Sequence, residues 1–228
     1  MIEPIDRFGM REPDKDRIGE CIQTYAGGKF YILDPRPEEI RVNDIAASLS
    51  KLCRFGGHCL RFYSVAEHSV LVSQILEEWG EGPDVQFDGL MHDATEAYVG
   101  DVPKPFKGML IGYKDIERRI ARVIEDKFMR PRGSFENPVV KEADNAALRV
   151  EANLVMAHVE GWNFPHDVRS TSHAPEILDA DHAWVLFMER YLSIDLIRYT
   201  LTHTQAAIDK VATERALTPE NLSKGGSK

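Results

Sequence analysis

Residues 89–101, GLMHDATEAYVGD, decide how the chain is read. His92 and Asp93 stand side by side, Glu96 follows one turn later, and Asp101 closes the stretch. Around them Phe87, Leu90, Met91, Ala94 and Tyr98 recur at helical spacing, so the sequence predicts a helix over about 84–99 with one buried side. A lone His or Asp on a helix is ordinarily a hydrogen-bonded or solvated side chain. Four groups able to bind a metal or move a proton, on one short apolar segment, call for a different account.

The flanking segments are also helical. In SVAEHSVLVSQILEEWG, Ser64 and Glu67 have the spacing of a capping box, in which each side chain satisfies a free backbone N–H at the helix start. Val65, Leu71, Val72, Ile75, Leu76 and Trp79 form its apolar stripe, and Gly80 suits its end. VNDIAASLSKLCRF predicts an earlier helix, with Ile45, Leu49 and Leu52 inward, broken by Gly56 and Gly57. Pro103 and Pro105 predict a loop in DVPKPFKG. A helix over about 112–129 presents Ile116, Ile120, Val123, Ile124 and Phe128 on one face. Asn137 caps another that begins at Pro138 and runs to about 158. One or two helices cover 176–215. KFYILD, residues 29–34, reads as a short strand, and 1–28 hold little periodic pattern. The expectation is an all-α fold with a small N-terminal β element: an N-terminal extension (1–28), one helical domain (29–215) and a flexible tail (216–228).

Bulk composition narrows the partners. The formal net charge of −9 argues against non-specific binding to nucleic acid or anionic membrane. No run approaches the ~18 apolar residues of a spanning helix, and the polar start MIEPIDRFGMREPDKDR has no signal core, so a cytoplasmic location is expected. Cys21, Cys53 and Cys59 are odd in number and lack metal-binding spacing, which reads as small buried hydrophobes without a disulfide framework. Phe30, Tyr31, Phe62, Trp79 and Trp162 read as core.

The polar misfits make one set. His68 lies one turn inside the capped helix, His92 and Asp93 lie within the next, and Asp144 sits among small residues in KEADNAALRV. Two imidazoles and two carboxylates suit Mn, Fe, Co, Ni or Zn. Around a six-coordinate ion they leave positions for water and a substrate oxygen, and such an ion acidifies its water and polarises a phosphoryl group. Glu96, four residues after His92, lies beside that ion, where a carboxylate can orient water or shuttle protons. Asp101 can reach the same pocket. His58, Lys104 and Lys107 are candidate phosphate contacts.

The ordered set His68, His92-Asp93, Asp144 resembles the HD-domain metal phosphohydrolase superfamily, whose signature is H…HD…D on successive helices of an all-α bundle. HDATEAYVGD, with its Glu and following Asp, is similar to the small bacterial and phage members that include 5′-deoxynucleotidases. Arg54, upstream of His68, matches an arginine of that group, and RFGGH, FYSVAEHS, MHDATEAYVGDVPKPFK and KEADNAAL spread the similarity over roughly 30–155. The resemblance implies one divalent transition metal on His68, His92, Asp93 and Asp144, with Glu96 as acid/base or water-positioning residue and Asp101 in support. It implies that Arg54, whose planar fork fits phosphate oxygens, binds phosphate. Members that hold two metals place further histidines between the HD pair and the last Asp. This chain has none between His92 and Asp144, so a single metal is favoured and cyclic-dinucleotide cleavage disfavoured. His158, His166, His173, His182 and His203 read as structural.

The expected activity is metal-dependent hydrolysis of a small (deoxy)nucleotide, with a 5′-deoxynucleotidase acting on deoxynucleoside monophosphates as the leading form. A dNTP triphosphohydrolase, similar to the dATP-specific phage group, is the main alternative. An alarmone hydrolase is a further one, although that family usually has a Glu-Asp pair where this chain has Glu96-Ala97. A non-catalytic nucleotide-binding module stands outside the enzymes. HD nucleotidases commonly form dimers or larger rings, so a homo-oligomer is compatible with the resemblance.

Overall fold

The computed structural model describes residues 16–165 and 167–216. Residues 1–15 of the expected extension, His166 and residues 217–228 of the expected tail lie outside the described residues. The first described element is a hairpin in which β1 (Cys21–Gln23) pairs antiparallel with β2 (Lys29–Tyr31), setting Ile22 opposite Phe30. The helices follow in order: α1 (Val42–Leu49), α2 (Val65–Glu78), α3 (Pro83–Met91), α4 (Glu96–Val99), α5 (Lys104–Lys107), α6 (Tyr113–Lys127), α7 (Pro138–Val155) and α8 (Ala180–Ala216). The fold is all-α with a small N-terminal β element, as the sequence implies.

Helix α2 is the axis of this arrangement. Val65, Ala66 and Val70 join Phe30, Ile45, Leu49, Phe87, Leu90, Ile120, Ile124 and Phe187 in one cluster. Further along, Leu71, Val72, Ile75 and Leu76 pack against Val140, Ala143, Ala146 and Ala147 of α7 in a second. Each buried Val, Leu, Ile or Phe among them stabilises the fold by about 1.5–3 kcal/mol relative to an exposed one. At Gly89, α3 approaches α2 so closely that a Cβ would lie 2.3 Å from Leu76 Cδ1. Helix α8 covers the pair. Phe187 and Ile194 are buried, and Arg190 donates to Ser73 Oγ (2.9 Å), Ser73 O (3.0 Å) and Gln86 Oε1 (3.1 Å). Among the described residues no helix is long and apolar enough to cross a membrane.

Several sequence expectations need correction. The capping box forms only in part: Ser64 Oγ accepts from Glu67 N (3.1 Å), but the Glu67 carboxylate accepts from Ile177 N (2.6 Å) and Leu178 N (3.1 Å). A residue suited to a local cap is thereby used to hold a distant segment, and Ile177 takes φ 61° there. Helix α1 stops at Leu49 instead of running to 55, because Cys53 bridges to Ser64 and Arg54 N donates to Tyr63 O (2.9 Å). The expected proline loop is a one-turn helix, α5, with Pro105 in its first turn, where the missing N–H costs nothing. Strand β1 falls in the stretch that shows no period; three residues are too few for alternation to be seen. The cysteines are free and half-buried, with Cys53 Sγ and Cys59 Sγ 3.5 Å apart. Phe62 and Trp162 are exposed and not core.

The helix expected over 84–99 is interrupted at its centre. Helix α3 ends at Met91, and α4 starts at Glu96. Between them the backbone stays near helical angles but its hydrogen bonds tighten to three-residue steps: Ala94 N to Met91 O and Glu96 N to Asp93 O, both 2.9 Å. This short tightened stretch carries His92 and Asp93.

Candidate metal centre

Three separate parts of the chain bring the donor atoms together. Helix α2 supplies His68, fully buried; the α3–α4 break supplies His92 and Asp93; helix α7 supplies Asp144. His68 Nε2 lies 3.2 Å from His92 Nε2, 3.4 Å from Asp93 Oδ2 and 3.4 Å from Asp144 Oδ1. His92 Nε2 lies 3.3 Å from Asp93 Oδ2. An ion held at the usual ~2.1 Å would set tetrahedral donors roughly 3.4 Å apart and adjacent octahedral donors roughly 3.0 Å apart. The spacings among His68, His92 and Asp93 fall within that range, and Asp144 meets it toward His68.

The tautomers point the same way. His92 Nδ1 lies 2.7 Å from Gly89 O, and His68 Nδ1 lies 2.5 Å from Glu151 Oε1. A carbonyl or a carboxylate only accepts, so both Nδ1 atoms donate and both Nε2 atoms are left for another partner. Two Nε2 atoms 3.2 Å apart need positive charge between them, which either a proton on His68 donated to His92 or a bound cation supplies. Electrostatics of the carboxylates fit this picture. Burial works to raise the Asp93 value, but the neighbouring His92 and His68 hold it well below the usual carboxylate range. Asp144 behaves likewise, burial being outweighed by His68 and then His92. Burial and Arg54 oppose a charge on His68, yet Glu151, Asp144 and Asp93 draw it toward the cationic form. Among the described residues His68, His92 and Asp93 each offer a donor atom close enough to the others to hold one ion, and Asp144 joins them through His68.

Glu96 is buried beside these donors. One carboxylate oxygen, Oε1, receives Lys107 Nζ at 3.1 Å, while Oε2 is buried with no hydrogen-bond partner. Burial first, then Asp93 and Asp101, push its carboxyl well above the usual range, with Lys107 opposing. Asp101 is also raised, by burial and by Asp93, against the pull of Arg54. Lys107 reaches on to Glu117 Oε1 of α6 at 2.9 Å. Arg54 turns inward: Nη2 is 3.1 Å from Glu151 Oε2 and Nη1 is 3.7 Å from Asp93 Oδ2. Its loop is unusual, with φ 57° at Phe55 and 60° at Gly56, and a left-handed phenylalanine is a costly conformation. Asp144 also receives Lys141 Nζ.

The structure thus gathers His68, His92, Asp93, Asp144, Glu96, Asp101, Arg54 and Lys107 into one region. His58 and Lys104 are exposed, and neither makes a side-chain hydrogen bond or ion pair among the described residues. His158, His182 and His203 are exposed with local partners, Glu160, Asp179 and Tyr199 O respectively. Glu151 was not singled out by sequence reasoning. Its one legible signal is its place seven residues after Asp144, two turns along the same face of α7.

No protein-family model matches the chain. It is 38% identical over 179 residues to the uncharacterized protein YfdR of Escherichia coli K12, spanning 78% of this chain and 97% of that protein. It is 32% identical over 143 residues to an uncharacterized protein of Rhodobacter capsulatus, spanning 59% of this chain and 72% of the other.

Proposed function

The chain belongs to the family of the Escherichia coli protein YfdR, and we propose that it is a metal-dependent phosphohydrolase of the HD type that acts on small nucleotides, foremost deoxynucleoside 5′-monophosphates. One observation carries this reading: His68 Nε2, His92 Nε2 and an Asp93 oxygen converge, with Asp144 against His68, beside a buried, partner-poor carboxyl, Glu96. The ordered His68, His92-Asp93, Asp144 motif and its resemblance to HD phosphohydrolases support it.

A divalent ion bound by these four residues would supply Lewis acidity to a phosphoryl oxygen and make water more acidic. The chain's own groups do the rest. His68 and His92 keep Nδ1 committed to Glu151 and Gly89, so their rings hold one orientation through turnover. Lys107 fixes Oε1 of Glu96 and leaves Oε2 to pass a proton to the leaving 5′-oxygen. Asp101 stands by as the second carboxyl in that exchange. Arg54 and Lys107 add positive charge near a phosphate whose oxygens gain charge in the transition state. A single ion, a nucleotide as the small-molecule ligand and a cytoplasmic setting belong to the same reading.

The test is a hydrolysis panel. Protein stripped of metal is resupplied with Mn, Co, Ni, Mg or Zn and given dNMPs, NMPs, dNTPs and NTPs, with released phosphate and triphosphate separated. Metal-dependent phosphate from dNMPs is the expected result. Triphosphate from dNTPs would move the cleavage point to the α-phosphorus, and no metal-dependent product from any class would overturn the reading.

A further inference from the structure

We propose that Glu151 is a positioning residue: its carboxylate fixes the tautomer and ring orientation of His68 and thereby sets the affinity of the centre for a divalent ion. The inference rests on the metal reading above and extends it to a residue outside the donor set. Glu151 is fully buried on α7. Its Oε1 accepts from His68 Nδ1 at 2.5 Å and from Tyr63 Oη at 2.9 Å. Arg54 Nη2 lies 3.1 Å from Oε2, close enough for an ion pair although not aligned as a hydrogen bond. Those three groups face the carboxylate, and Arg54 also lies 3.7 Å from Asp93. One buried anion therefore touches the ring of one donor and shares a guanidinium with another.

The geometry explains why a charge is placed where an apolar residue would be cheaper. A carboxylate on the far nitrogen of a ligating imidazole locks the tautomer that leaves Nε2 free and makes that nitrogen a better donor. Helix α7 brings both halves of the arrangement, because Asp144 and Glu151 lie two turns apart on one face. Arg54 offsets the buried charge. Its closeness to Glu151 assigns it a bracing role inside the site, besides any contact with phosphate.

The experiment uses full-length protein and cobalt(II) as the probe. Uptake is measured by calorimetry for wild type, Glu151→Gln, Glu151→Asp and Tyr63→Phe, with a thermal melt of each, and long-range proton–nitrogen NMR reads the His68 ring. Expected results are a proton on His68 Nδ1 in wild type, kept when zinc(II) is added, and cobalt affinity weaker by about 10–100-fold in Glu151→Gln. Glu151→Asp should fall between. Tyr63→Phe, which loosens the same carboxylate without touching His68, should bind as wild type does; an equal loss there would mean that Glu151 merely braces α7. Equal affinity in wild type and Glu151→Gln overturns the inference alone. No cobalt uptake by wild type overturns the metal reading and this inference with it. Should Glu151→Gln not fold, a wild-type His68 lacking the Nδ1 proton still refutes the proposal.

Discussion

Replacing Glu67 by alanine tests whether a buried carboxylate on α2 holds the irregular segment that leads into α8. Glu67 is 2% exposed and accepts from Ile177 N and Leu178 N. Hydrogen bonds to a charged group contribute about 1.5–3 kcal/mol each, and because this segment is only half-buried, water recovers part of the loss. The low end of the range for two bonds, about 3 kcal/mol, is therefore the relevant one. Release of Ile177 from its left-handed backbone returns about 1 kcal/mol. The net cost, about 2 kcal/mol, corresponds to a melting temperature roughly 4–8 °C lower for a domain of this size. Glu67→Gln keeps one acceptor oxygen but turns an amide N–H toward the second donor, so it should lose about half as much. Thermal melts give the magnitude, and amide hydrogen exchange at Ile177 and Leu178 gives the location. A Glu67→Ala protein that melts with wild type and protects both amides equally well would refute the reasoning.

Four other outcomes are expected. Asp93→Ala should abolish bound metal and hydrolysis together; wild-type turnover in that variant would rule out the centre. Glu96→Gln should keep the metal, read by elemental analysis, and lose turnover by about 100-fold or more, the usual scale of an acid–base contribution. Gly89→Ala sets a methyl 2.3 Å from Leu76 Cδ1; overpacking of about 1–3 kcal/mol should outweigh the gain of about 1 kcal/mol in helix propensity, and a higher urea midpoint would contradict this. Glu78 accepts from Thr171 Oγ1 (2.5 Å), Ser172 Oγ (2.7 Å) and Ser172 N (3.0 Å), which hold its carboxyl down at about 2. Since the folded value lies below the ordinary one, its stabilising effect is complete above the unfolded value and fades as pH falls toward 2. NMR titration of the Glu78 carboxyl checks this, and an ordinary value would show the bonds do not persist in solution.

The parts legible in the sequence are those governed by period and by local caps. The extents of α2 and α6 follow from apolar spacing, α7 ends at Val155 instead of about 158, and Asn137 caps α7 through Val139 N as its position before Pro138 implies. The candidate site residues were legible because His68, His92, Asp93 and Glu96 interrupt apolar helical stretches and Asp144 sits among small residues. The α3–α4 break was not, since its residues keep helical angles and the apolar period runs through it; only the hydrogen bonds change. Glu67 satisfied a local pattern that the fold then used over a long range. The inward turn of Arg54 depends on Glu151, and a pairing between residues so distant in sequence leaves no periodic trace.

The donor atoms come from α2, the α3–α4 break and α7, with Glu151 binding α7 back to His68. No one hairpin or helix pair contains the set. A ligand that engages all four residues is therefore a ligand of the assembled bundle alone. Its binding energy enters global stability by mass action, growing with the logarithm of free ligand over its dissociation constant. Undocking of α7 withdraws Asp144 and Glu151 from such a ligand and so forfeits part of that energy. Occupancy of the centre thus becomes a gauge of whether the whole bundle is closed.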